Sequence, residues 1–143
     1  MESTFDLSRF VQAQKQSYPA ALAEIRAGRK RSHWMWYIFP QLRGLGMSST
    51  SLYYGVRGLE EARAILEEPF LGHNLREISA ALLDLDTNNA SEVFGWPDDM
   101  KLRSSMTMFA LVSEENSVFH GVLEKYFDGR MDPLTLERVG IHE

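Results

Sequence analysis

The chain has 143 residues, enough for one domain with a proper core, and its 44% apolar and 24% charged residues suit an ordinary globular protein. Without a cysteine it forms no disulfide, no zinc–thiolate site and no thiol nucleophile. A net charge of −5 argues against broad nucleic-acid binding.

The charge is unevenly spread. Residues 1–46 hold seven Lys/Arg and three Asp/Glu, a balance of +4, whereas residues 47–143 hold eight and seventeen, a balance of −9. A small anionic ligand fits that pattern better than a long polyanion. The opening MESTFDLSRF lacks the regions of a secretory leader, and no apolar run approaches membrane-spanning length. A soluble cytoplasmic protein without membrane contact is therefore expected.

Taken in chain order, Leu7, Phe10, Val11 and Gln14 fall on one helical face, with Asp6 placed to cap it. Pro19 suits the first turn of a second helix, PAALAEIRAG, and Gly28 stands where that helix would end. Ser32 is a candidate N-cap for HWMWYIF, which Pro40 stops, although a short aromatic run also fits a buried strand. A loop then leads to a helix cap at Ser49 or Thr50. LEEARAILEE follows and ends at Pro69. LGHNLREISAALLDLD places Leu75, Ile78, Leu82 and Leu85 on one face, and NASEVFG reads as a single capped turn. PDDMKLRSSMTMFALV opens with proline and two acids, favourable at a helix start. NSVFHGVLEKYF and DPLTLERV complete the series. The expected architecture is one all-α domain, residues 1–143, of six to eight mostly short helices packed irregularly.

Three stretches attract chemistry. In RKRSHWMWYIFPQLRGLG, Arg29, Lys30 and Arg31 precede a helix start that favours anions, Trp34 and Trp36 offer stacking faces, and His33 is the only histidine of the cluster and a candidate proton carrier. The plainer reading makes the cations a solvated flank and the tryptophans core. In GLGMSSTS, Gly44 and Gly46 allow a concave turn and Ser48 and Ser49 supply hydroxyls. A third glycine and a preceding strand are missing, so the dinucleotide fingerprint is absent, as is a Walker lysine. In FGWPDDMKLRSSMTMF, Asp98, Lys101 and Ser105 lie along one side of a helix beside a core stripe: an acid or base, an anion binder and a hydrogen-bond donor. Asp99 reads as an ordinary helix-start acid pairing Arg103 one turn on. Gln14 is an amide on an apolar face, most simply a satisfied core amide, and Tyr53 is core or rim. His73, His120 and His142 show no ligand spacing, so no metal and no cofactor are expected. Ser48, His33 and Asp98 assemble a triad only on paper, without a nucleophile-elbow pattern.

The segments RFVQAQ, GRKRSHWMWYIFPQLRGLG, FGWPDDMKLRSSMTMF and VLEKYFDG, in that order, resemble a bacterial family known as domain of unknown function 1810, over nearly the whole chain. The resemblance implies a mainly helical fold and no established activity. It directs attention to Gln14, His33 to Gln41, Gly44 to Ser49, and Asp98 to Ser105. Nothing in these residues resembles calpastatin, a name sometimes attached to that family.

The expected function is a pocket where the first helix, the tryptophan segment and the helix from Asp98 meet, binding a small anionic, ring-containing metabolite such as a nucleotide or ribose derivative. Any catalysis would be metal-free hydrolysis or transfer, with Asp98 or His33 moving the proton and Lys101 holding negative charge. The rival is a protein-interaction module that anchors through exposed aromatics of HWMWYIF with a basic rim.

Overall fold

In the computed structural model, which describes residues 5–141, nine helices follow one another. They are α1 (Ser8–Arg26), α2 (Met35–Ile38), α3 (Ser49–Tyr54), α4 (Leu59–Glu67), α5 (Pro69–Leu83), α6 (Ala90–Phe94), α7 (Asp98–Leu111), α8 (Val118–Phe127) and α9 (Pro133–Arg138). The fold is all-α, and five of these helices exceed two turns while the others are short. Among the described residues the only β contact is an isolated parallel bridge between Leu42 and Val56. None of the helices is long and apolar enough to cross a membrane among those residues. His142 lies outside them.

Two helices organise the rest. α5 packs on α1, α4 and α8, and α7 packs on α4, α6, α8 and α9. α7 is buried continuously from Ser104 to Ala110, so its surroundings are protein on nearly every side rather than on one stripe. Its serines and threonine therefore need partners inside the fold.

The N-terminal half departs from its expected division. Residues 8–26 form one helix with Pro19 inside it, not two helices. Phe10, Gln14, Tyr18, Ala21 and Ile25 make one uninterrupted buried stripe, and burial of that face offsets the backbone hydrogen bond that proline removes. Asp6 stands one residue before the Leu7 cap, and its carboxylate takes the Ser8 N–H (3.0 Å). Gly28, at φ 85°, turns the chain out of the helix.

Two further caps shift. α2 starts after Trp34 with no side-chain cap, because Ser32 is held elsewhere. α3 is capped by Ser48, whose Oγ accepts from Ser51 N (3.1 Å), rather than by Ser49 or Thr50. Asn89, Ser117 and Asp132 cap α6, α8 and α9 as their local sequences imply.

Candidate functional site

The basic-aromatic segment is organised by a residue well upstream. Glu24, near the end of α1, accepts from Arg31 N (2.6 Å), Ser32 N (2.9 Å), Ser32 Oγ (2.7 Å) and Trp34 Nε1 (3.0 Å). Burial alone would raise its pKa, but those hydrogen bonds favour the carboxylate and bring it down to about 2. One side chain thus folds the 31–34 loop back on α1 and draws Ser32 away from capping.

Lys30 and the two indoles join this segment to α7. The Lys30 ammonium lies 3.0 Å from Asp98 Oδ2 and 5.0 Å from the centre of the Trp34 ring. Lys101 lies 3.4 Å from Asp98 Oδ1 and 5.5 Å from the centre of the Trp36 ring. The tryptophan segment and the start of α7 are therefore neighbours, with Asp98 shared between two lysines. These groups satisfy one another. Trp34 is buried against Phe39 and Phe94, and Trp36 is half-buried. His33 and Arg29 are exposed.

Other candidates are committed to the core. Gln14 is 2% exposed, donates to Tyr37 O (2.9 Å) and accepts from Asn74 Nδ2 (3.0 Å), tying α1 to α2 and α5. Ser105 is fully buried and its Oγ has no hydrogen-bond partner among the described residues, so it cannot reach a ligand at the surface. Asp99 accepts from Ser91 Oγ (2.6 Å), while Arg103 donates to the carbonyls of Arg130 and Met131 instead of pairing with it. Within HWMWYIF, Met35, Ile38 and Phe39 are buried like Trp34, and Tyr37 is half-buried like Trp36. Trp36, Gln41 and Gly46 border a hollow of about 10 Å³, at most room for one water. Ser49 is exposed, and Tyr53 is exposed with its ring edge-on to Tyr54.

The larger concavity lies beside that loop. A groove of about 1160 Å³ runs between residues 42–47, the start of α4 and α9. Its construction follows from the Leu42–Val56 bridge. Arg43 N donates to Val56 O (2.8 Å) and Val56 N to Gln41 O (2.9 Å), holding two extended segments side by side. Alternate residues of such segments face opposite sides. Leu42 and Val56 enter the core, so the next residue on each, Arg43 and Arg57, is turned out to the groove.

α9 supplies a third cation. Arg138 also lines the groove and donates from Nε to Arg43 O (2.9 Å), with its guanidinium packed against Gly44. Gly44 has φ 98°, and any Cβ there would overlap that guanidinium. None of the three arginines has an ion-pair partner among the described residues. α9 itself is seated by the buried Asp132, whose Oδ2 accepts from Thr135 N (3.0 Å), Thr135 Oγ1 (2.6 Å) and Ser104 Oγ (3.1 Å). Thr107 Oγ1 accepts from Asp132 N (2.8 Å) and completes the joint to α7.

Of the residues expected at a site, Gly44 alone lines this groove; Arg43, Arg57 and Arg138 were not singled out. The glycine turn beside Arg43 was the local signal. Arg57 and Arg138 carry none, because only the bridge and the docking of α9 bring them together.

The whole fold has a counterpart in the crystal structure of a conserved hypothetical protein from Mycobacterium tuberculosis. The two share 45% sequence identity and a TM-score of 0.93, covering 98% of this chain and 100% of that one. None of the curated proteins matches the sequence. A family model described as "Protein of unknown function (DUF1810)" matches residues 4–139, and the chain belongs to that family.

Proposed function

We propose that the protein binds a small anionic, ring-containing ligand, a nucleotide or a ribose derivative, in the groove between residues 42–47, the start of α4 and α9. One observation carries this reading: three arginines with no ion-pair partner among the described residues line one concavity in a chain of net charge −5. Adjacent like charges repel unless an anion joins them, and arginine's planar fork matches phosphate and carboxylate oxygens. The groove volume, about 1160 Å³, is ample for a ligand of nucleotide size. The Lys30–Asp98–Lys101 cluster is less suited, since its charges are already paired.

Should the ligand be transformed, by hydrolysis or transfer, Glu60 and Glu137 are the carboxylates lining the groove and stand closer to the task than His33 or Asp98, which do not line it. A second reading, a protein-interaction module, has one observation of its own. Trp96 is 82% exposed and Met100, four residues on, is 48% exposed.

A thermal-shift screen of nucleotides and sugar phosphates tests the primary reading. A binder at one hundred times its dissociation constant raises the melting temperature by about 5 °C or more. That rise disappears in Arg57→Gln. If no anion shifts the wild-type melting temperature, or if the shift survives in the Arg43→Gln, Arg57→Gln double variant, the groove is not an anion site and the interaction reading takes its place.

A further inference from the structure

We infer that Met47 and Leu134 form an apolar clamp that grips the flat ring of a nucleoside-monophosphate-like ligand whose phosphate the groove's arginines hold. The inference rests on the anion reading of the groove and goes further, naming the second half of the ligand and the side chains that select it.

Met47 is 76% exposed and Leu134 is 64% exposed, yet both line the groove. They come from unrelated parts of the chain, one from the loop before α3 and the other from the first turn of α9. Neither belongs to the core cluster or to the partly buried residues packed on it, so neither is kept apolar by folding. Two large apolar side chains left in water at one groove gain when an apolar surface covers them. Methionine's unbranched thioether adapts to the face of a ring and makes favourable sulfur–aromatic contacts, and leucine supplies a second apolar surface.

The charges of the groove restrict the other half of the ligand. Glu60 and Glu137 line it along with the three arginines. Two carboxylates repel a polyanion such as pyrophosphate, but accept hydrogen bonds from hydroxyl or amino groups. A single phosphate, a hydroxyl-bearing sugar and a flat base together match the arginines, the carboxylates and the clamp. A bare sugar phosphate matches only the first two.

The test is calorimetric titration of the full chain with adenosine 5′-monophosphate and, separately, ribose 5-phosphate. Wild type, Met47→Ser, Leu134→Ser and Arg57→Gln are compared; the first two substitutions fall at exposed side chains outside the core, so folding is retained. Wild type should bind the nucleotide about tenfold or more tighter than the sugar phosphate. Met47→Ser and Leu134→Ser should each weaken the nucleotide about three- to tenfold and leave the sugar phosphate unchanged, whereas Arg57→Gln weakens both. Equal affinity for the two probes, with both clamp variants silent, overturns the clamp and leaves the anion site standing. Failure of both probes to bind the wild type overturns the clamp together with the anion reading beneath it.

Discussion

Gly44 is where the groove meets its strictest local demand. Its φ of 98° and the guanidinium against it leave no place for a side chain. Gly44→Ala should cost about 1–3 kcal/mol, read as a lower urea midpoint, and should displace Arg138 enough to weaken any anion bound there. Ser105 points the opposite way. Its hydroxyl is buried with no hydrogen-bond partner among the described residues, so Ser105→Ala should leave stability unchanged or raise it by up to about 1 kcal/mol. A loss above that would reveal a hydrogen bond that Oγ makes in solution. Glu24 gives a pH signature. Its folded pKa of about 2 lies below the ordinary 4.5, so its contribution to stability is full above pH 4.5 and fades as pH falls toward 2. The gap in urea midpoint between wild type and Glu24→Gln should therefore be constant from pH 7 down to about pH 5 and narrow below it. A gap that ignores pH would mean the latch does not depend on the carboxylate's charge.

At the level of elements, two buried polar joints set the geometry. Gln14 links α1 to α2 and α5, and Asp132 links α9 to α7. Gln14→Ala would strand the Asn74 amide and open a cavity, at a cost of about 2–4 kcal/mol in thermal or urea unfolding. Asp132→Ala removes the acceptor that caps α9, where Arg138 and Leu134 reside. It should reduce ligand affinity more than its modest loss of stability, about 2 kcal/mol, would suggest. Most helices were legible in the sequence because caps and apolar spacing are local: NASEVFG and DPLTLERV mark two starts, at Asn89 and Asp132, that the structure keeps. The misread ones were decided from a distance. Pro19 looked like a helix start, yet the stripe from Phe10 to Ile25 carries α1 through it. Ser32 looked like a cap, yet Glu24 claims it.

Across the whole molecule, the acidic C-terminal half and the basic N-terminal half meet twice. At the tryptophan segment they form ion pairs, with Asp98 shared between Lys30 and Lys101. At the groove Arg43 meets Arg57 and Arg138, none of them ion-paired among the described residues, while Glu60 and Glu137 line the same concavity. The sequence pointed to the first meeting through Asp98 and Lys101 and to the second only through Gly44. A parallel bridge between residues 42 and 56, and a helix docking 95 residues from its hydrogen-bond partner, leave no periodic trace. Exposed charges are screened over about 8 Å at physiological salt, so binding to the arginine groove should weaken as ionic strength rises. The most direct measurement is a titration of isotope-labelled protein with adenosine 5′-monophosphate, following the arginine Nε–H and tryptophan indole signals by NMR. The signals of Arg43, Arg57 and Arg138 should shift together while Arg29, Arg31 and the Trp34 and Trp36 indoles stay in place. Shifts confined to the indoles, Arg29 and Arg31, with the three groove arginines unmoved, would contradict the account.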